Sequence, residues 1–304
     1  MSCPNDGRGA LFTLFYWTGT RQAWPEIREG KMALLNFTGN GGYRGFDFDQ
    51  CSVAGQLLAA SYRDAAPFPH IVMDDFLDPD MLRQVLTEFP DSTTHSCFHR
   101  DQERLKFQFR PDQCDGLVTR MLFAELNSRA FLAFLSDLTG IQGLIPDPYH
   151  AGAGLHEIKR GGHLSIHADF PHHDVMKLDR RLNLLIYLNE DWEDDYGGAL
   201  ELWDRHMKAA EQKVLPVLGR AVIFNTARDT FHGHPDPLLC PPDRSRRSIA
   251  TYYYTAAPAA RPGIERTTDF RRRPGTSDKR DWQILLHHLK ADWLPPALQR
   301  RRNN

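Results

Sequence analysis

The chain has 304 residues, 41% of them hydrophobic and 25% charged, and its 37 Lys and Arg nearly balance 39 Asp and Glu for a formal charge of −2. That composition excludes a disordered chain and leaves one large or two ordinary globular domains. The near-neutral balance gives no general attraction to a polyanion, so a dedicated nucleic-acid binder is not expected. Five cysteines, Cys3, Cys51, Cys97, Cys114 and Cys240, are scattered, odd in number and without a C-x-x-C pair. They disfavour a disulfide framework or a cysteine zinc site and point to a reducing, cytoplasmic setting. The early apolar run Leu11–Trp17 is broken by Thr13 and lacks the flanks of a secretory signal, and no membrane segment is expected.

Residues 1–50 are rich in glycine, with Gly39, Gly41, Gly42 and Gly45 close together, and read as a leader of unknown role. Residues 51–145 read as helical support. There Pro67 to Leu77 predicts a short strand, and Asp78 then caps a helix that has Pro79 at its first position and stops at Pro90. A second helical region runs from Leu117 to Leu138.

From residue 146 to 257 the texture changes to short apolar or alternating runs separated by Gly, Pro, Asp and Asn. Leu155–Lys159, His163–Phe170, Leu182–Asn189, Ala199–Trp203, Arg220–Phe224 and Arg246–Tyr254 read as strands, with Thr230–His232 as a shorter addition. Strands this short and numerous, without long helices between them, predict an antiparallel jelly roll: a mainly β fold with supporting helices. Residues 258–304 form a tail with a helix at about Asp278–Leu294. The arginine runs Arg271–Arg273 and Arg300–Arg302 read as solvated surface.

With 14 histidines and 28 aspartates, chance yields about one H-x-D sequence, and four occur, at His99, His167, His172 and His234. Context ranks them. His167 and Asp169 lie in the strand-like stretch Leu164–Phe170, where residues two apart share a face. Pro171 and Pro235 put the His172 and His234 pairs in loops, and the kinase-like echo at His99 lacks the asparagine and glycine loop it would need. Two histidines and a carboxylate make the facial triad of non-haem Fe(II) oxygenases. The best third ligand is His232 in Thr230-Phe231-His232-Gly233-His234-Pro235, with His234 next. Further on, Arg246 and Ser248 share a strand face, and a guanidinium fork beside a hydroxyl suits a carboxylate.

Taken together, Gly161–Phe170, Arg181–Asn189, Gly197–Leu202, Phe231–Gly233 and Arg246–Ile249 resemble the core of the Fe(II)- and 2-oxoglutarate-dependent dioxygenases, specifically the prolyl-4-hydroxylase-like branch. The likeness spans about 190 residues from Pro67 onward and omits the leader and the tail. It implies a double-stranded β-helix in which His167, Asp169 and His232 hold Fe(II), 2-oxoglutarate chelates the metal, and Arg246, assisted by Ser248, takes its distal carboxylate. Tyr187 and Asn183, on one face of an apolar run, are implied as further cosubstrate contacts. His163 is implied as a supporting residue near the site. The sequence departs from the simplest family pattern in the insertion Asp236–Asp243 and in its paired arginines, so Arg247 is the alternate clamp.

The implied cofactors are Fe(II), 2-oxoglutarate and O2, with ascorbate as an optional reductant. The implied reaction is hydroxylation of an unactivated C–H bond, with release of succinate and CO2. Retention of Asp169 favours hydroxylation over halogenation. The expected substrate is an amino-acid residue, free or within a peptide or protein, prolyl-type by resemblance alone, read by the segments Phe98–Pro111, Phe170–Asp179 and Asp236–Asp243. Two other readings stand beside this one: a non-redox jelly-roll binding module, and a zinc-dependent hydrolase or isomerase on a cupin-like barrel. Fe(II)-dependent succinate release would exclude the first, which could hold a sugar or a carboxylate, and the Arg246-x-Ser248 element opposes the second, since hydrolytic zinc has no need of a dicarboxylate clamp.

Overall fold

The computed structural model describes residues 33–39, 44–94, 97–257 and 267–293. In chain order its elements are β1 (Phe37–Thr38), β2 (Gly45–Phe46), α1 (Phe48–Arg63), β3 (His70–Met73), α2 (Pro79–Thr87), β4 (Phe98–His99), β5 (Glu103–Phe109), α3 (Leu117–Leu126), α4 (Arg129–Thr139), β6 (Ile145–Pro146), β7 (Gly154–Ala168), β8 (Leu178–Tyr187), β9 (Leu200–Trp203), β10 (Ala210–Val214), β11 (Ala221–Asn225), β12 (Phe231–His234), β13 (Ser245–Ala256), β14 (Asp269–Phe270) and α5 (Trp282–Trp293). The Arg300–Arg302 run and the first residues of the expected tail, 258–266, lie outside the described residues.

All strands except the β1–β2 pair join one antiparallel sheet, ordered β10-β9-β12-β7-β13-β8-β11-β3, with β5 and β14 also on β7 and β6 on β13. What rolls this sheet is β7. Its first half, Leu155 to Lys159, pairs with β13, whereas Leu164 and His167 pair with β12. Between them Gly161 adopts φ +79°, and a Cβ on Gly162 would lie 2.6 Å from the Arg104 carbonyl oxygen and 2.9 Å from that of Lys159. Glycine is therefore what lets the strand bend here without leaving the ladder. The two runs expected as separate strands are one bent strand that belongs to both faces of the roll, and the result is the jelly-roll, double-stranded β-helix core with supporting helices that the spacing predicts.

Strand alternation then sorts side chains between two environments. On β13, Ile249 and Tyr253 face the helices, and Ala250, Tyr252 and Tyr254 face the interior of the roll. On β11, Ala221 and Ile223 join the helical side, Val222 and Phe224 the interior. The helical layer is pinned by aromatic contacts: the Phe131 ring lies 5.4 Å from Phe46, 5.5 Å from Phe134 and 6.1 Å from Tyr253, and the Tyr253 hydroxyl donates to the Leu126 carbonyl at 2.8 Å.

Three element boundaries differ from the sequence reading. The helix after Asp78 forms as expected, with the Asp78 carboxylate accepting from the Asp80 amide. The single helical region from Leu117 to Leu138 is two helices, because the Ser128 hydroxyl accepts from the Phe131 amide at 3.3 Å and starts α4 afresh. Helix α1 was not anticipated; its buried residues are Cys51, Ala54, Gly55 and Tyr62, while Val53 and Leu57 are exposed, so its apolar stripe is made of small residues that give little periodic signal. The expected leader boundary at residue 50 falls inside this helix. Among the described residues no helix is long and apolar enough to cross a membrane.

Phe131 is fully buried between the helices and β13, so Phe131→Ala is expected to lower stability by about 3–5 kcal/mol. Urea denaturation followed by circular dichroism measures this, and a loss below about 1 kcal/mol would show that the helices are not anchored to the sheet as described.

Candidate metal centre and cosubstrate cavity

The β7–β12 register sets His232 directly opposite His167. Gly233 makes the close pairing feasible, since a Cβ there would sit 2.8 Å from the carbonyl oxygens of both Leu164 and Ser165. Asp169 follows just past the end of β7. Its Oδ1 lies 3.6 Å from His167 Nε2 and its Oδ2 3.4 Å from His232 Nε2, and the two imidazole centroids are 4.5 Å apart. Among the described residues, these three alone bring His, Cys, Asp or Glu donors within 4.8 Å of one another as a group of three.

The ring orientations suit a metal. His167 Nδ1 is 2.9 Å from the Ser165 carbonyl and His232 Nδ1 is 3.2 Å from the Thr230 carbonyl. A carbonyl only accepts, so each Nδ1 carries the proton and each Nε2 presents a lone pair towards Asp169. Burial lowers the His232 pKa to about 4, against the opposing pull of Asp169, which keeps the ring neutral near pH 7. For Asp169, burial alone would raise the pKa, but the Arg180 guanidinium, then His232 and His167, outweigh it and hold the carboxyl well below its usual range. Three donors on one face of a divalent ion at about 2.1 Å stand roughly 3 Å apart, close to the separations here. The donor set and its protonation therefore fit such an ion.

Asn183 lines the cavity, as a cosubstrate contact requires, and also meets the triad. Its amide donates to Asp169 Oδ2 at 2.6 Å, and its carbonyl accepts from Arg180 Nε at 3.0 Å and Nη2 at 2.7 Å, so it orients the carboxylate from behind. Arg180 was missed altogether. It lies buried with its guanidinium 3.4 Å from the Tyr252 ring centroid and 4.5 Å from that of Phe170, and Nη2 is 3.3 Å from Asp169 Oδ2. Simple alternation would send Arg180 to the side of Leu182. A register shift opposite Tyr253 and Tyr254 lets β8 skip Arg181, which turns Arg180 to the Asn183 side instead.

The triad opens into a cavity of about 280 Å³ whose walls include Arg246, Ser248, Leu185, Leu200, Phe224 and His234. Arg246 is buried; its Nε donates to the Gly198 carbonyl at 2.7 Å and its Nη2 to the Tyr187 hydroxyl at 3.4 Å. Tyr187 stands behind it, the guanidinium 5.0 Å from the ring centroid. Arg247 points the opposite way, donating to Glu157 Oε1 at 3.1 Å and covering the Phe89 ring. Of the two adjacent arginines only Arg246 faces the cavity, as alternation requires. His163 is not a cavity wall; its Nε2 lies 3.1 Å from the Asp101 carbonyl. His156 is a wall, with Nε2 3.1 Å from the Gly152 carbonyl, and burial followed by the charge of Lys106 lowers its pKa to about 3.

Two further segments enclose the site. The Phe98–Pro111 segment, expected as a substrate-reading loop, contains the hairpin β4–β5, and it places Phe98, Glu103, Lys106 and Gln108 on the cavity wall. The tail was expected to lie outside the core. Instead β14 pairs Phe270 with His167, their rings 5.4 Å apart, and Thr268 and Phe270 close one side of the cavity. Arg273, expected as solvated surface, pairs with Asp278 at 3.0 Å and Asp236 at 2.8 Å and so ties the tail to the β12–β13 connection. The two-residue strand Asp269–Phe270 has no length from which alternation could be read.

Residues 153–254 match the profile of the 2OG-Fe(II) oxygenase superfamily. The chain is 24% identical over 244 residues to the mouse prolyl 3-hydroxylase OGFOD1, covering 77% of this chain but only 40% of that protein. Among solved structures, the Trichoplax adhaerens prolyl hydroxylase in complex with a hypoxia inducible factor peptide fragment superposes with a TM-score of 0.51 at 18% identity, over 68% of this chain and 91% of that one. A Pseudomonas putida prolyl-4-hydroxylase gives 0.48 at 22% identity, over 66% of this chain and all of the other. Residues 153–254 are thus similar to the 2OG-Fe(II) oxygenases, a superfamily whose name gives 2-oxoglutarate and Fe(II) as cosubstrate and metal.

Proposed function

We propose that His167, Asp169 and His232 hold Fe(II), that 2-oxoglutarate occupies the adjoining cavity with its distal carboxylate on Arg246 and Ser248, and that the enzyme hydroxylates an amino-acid residue of a peptide or protein, of prolyl type. The observation that carries this reading is a buried guanidinium, Arg246, which among the described residues forms no ion pair and faces the cavity that holds the three metal donors. A buried cation without an anion is costly, and a dicarboxylate that also chelates the metal supplies one. A hydrolytic zinc site has no use for that pairing, and Fe(II)-dependent succinate release separates the enzyme from a non-redox module that binds a carboxylate. The four described cysteines, all free, suit the reducing cytoplasm.

Bound iron supplies the coupling of 2-oxoglutarate decarboxylation to O2 activation. The chain does the rest. Arg246 fixes the cosubstrate's far end by a charge-assisted contact, and Tyr187 and the Gly198 carbonyl hold that guanidinium in place. Asn183 and Arg180 fix which Asp169 oxygen faces the histidines. Leu185, Leu200 and Phe224 line the cosubstrate space with apolar surface and exclude bulk water. A cavity of about 280 Å³ is at the small end for ligand sites. It suits the five-carbon cosubstrate and one inserted side chain, with the remainder of the substrate outside along the hairpin and the tail. The names of the mouse and Trichoplax relatives support a prolyl residue as that side chain.

Anaerobic addition of Fe(II) and 2-oxoglutarate to the purified protein is expected to give a visible metal-to-ligand charge-transfer band, and Asp169→Ala to abolish it. A band of equal intensity in the variant would contradict the ligand assignment. For Arg246→Ala, the 2-oxoglutarate concentration giving half-maximal succinate release is expected to rise more than about tenfold, the worth of one charge-assisted hydrogen bond. An unchanged requirement would move the clamp elsewhere. The substrate class is read by mass spectrometry of proline-containing peptides after turnover, where gain of one oxygen at proline supports it and turnover only of free amino acids opposes it.

A further inference from the structure

His234 is two residues beyond His232 on β12, so it shares the inner face and reaches the same cavity. Its residue exposure is 3%, yet among the described residues neither Nδ1 nor Nε2 has a hydrogen-bond partner. A buried imidazole with both nitrogens unpartnered is unusual, because each lost bond leaves a desolvated polar atom. The other cavity histidines contrast with it: His156, His167 and His232 each place one ring nitrogen against a backbone carbonyl. His234, Arg246 and Ser248 all line the cavity that holds the triad. Arg246 spends Nε on Gly198 and part of Nη2 on Tyr187. A carboxylate there offers about four acceptor positions, more than Arg246 and Ser248 fill.

We propose that His234 donates a hydrogen bond to the distal carboxylate of 2-oxoglutarate, making it a third member of the clamp with Arg246 and Ser248 and a determinant of selectivity for a dicarboxylate cosubstrate. This rests on the cosubstrate assignment above. An imidazole N–H reaches a carboxylate oxygen, and closure of that contact relieves an unpartnered buried donor at the same moment as it relieves the unpaired guanidinium. A 2-oxo acid without the second carboxylate leaves both groups unsatisfied, so rejection of such acids follows from the same geometry.

The test is calorimetric titration of the anaerobic Fe(II)-loaded enzyme with 2-oxoglutarate and, separately, with 2-oxobutyrate, which keeps the chelating end and lacks the distal carboxylate. His234→Val is expected to weaken 2-oxoglutarate about tenfold or more and to leave 2-oxobutyrate unchanged, and His234→Gln, which keeps a donor, to recover most of the loss. Circular dichroism establishes that each variant is folded, and the Gln variant carries the comparison if Val does not fold. Unchanged 2-oxoglutarate affinity in His234→Val, or an equal loss for both acids, overturns the proposal. Absence of 2-oxoglutarate binding by the unaltered enzyme overturns the cosubstrate assignment itself, an outcome distinct from tight binding that His234→Val does not alter.

Discussion

The pairing of His167 with His232 across β7 and β12 is the constraint on which the site depends. Two backbone features hold that register. The bend at Gly161 and Gly162 turns the second half of β7 off the face that pairs with β13, and Gly233 lets β12 lie against the carbonyls of Leu164 and Ser165. Once the two strands are in register, alternation alone brings His232 and His234 inward together and carries Asp169 to the strand's open end. A slip of one residue would turn both histidines of β12 outward. The hydrogen bonds of His167 and His232 to their own chain two residues back then fix the tautomers.

Electrostatics adds a second layer. Asp169 is an anion among two histidines and Arg180, and its stability as a carboxylate depends on that arginine and on the Asn183 amide. Removing one partner of such a buried pair leaves an uncompensated charge, which is far more destabilising than the pair is stabilising. Arg246 is the opposite case, a buried cation whose protein contacts are a carbonyl and a phenol. Burial lowers its pKa, yet a guanidinium stays charged. Among the described residues the cavity thus carries one paired charge cluster, at Asp169, and one cation, Arg246, with no ion-pair partner.

Much of this was legible in the sequence because it depends on short-range periodicity. His167-Ala168-Asp169 in a β-like run, His232 after an apolar strand and Arg246-Arg247-Ser248 on alternating faces all reduce to a period of two, and the structure places Arg246 inward and Arg247 against Glu157 accordingly. What could not be read was set by irregularity or by distance in the chain. Arg180 faces the site because β8 skips one residue, and no composition signal marks such a bulge. Asn183 lines the cavity on the face it shares with Tyr187 by alternation, but its bond to the carboxylate of Asp169 had no signal in the sequence. Phe270 reaches His167 from 103 residues away through a strand of two residues. Helix α1 escaped notice since its buried face is, apart from Tyr62, built of cysteine, alanine and glycine.

The tail and the hairpin enclose the stretch, residues 153–254, that matches the superfamily profile. Phe98, Lys106 and Gln108 on one side and Thr268 and Phe270 on the other line the cavity that holds the triad, and all five lie outside residues 153–254. The central claim, that three donors from two strands converge on one metal beside a carboxylate clamp, is tested most directly by anomalous X-ray scattering from crystals grown anaerobically with Mn(II) and 2-oxoglutarate. The account predicts one strong peak at about 2.1 Å from His167 Nε2, His232 Nε2 and a single Asp169 oxygen, with ligand density running from that peak to Arg246. A peak bound elsewhere, or a metal in place with Arg246 untouched by ligand, would contradict it.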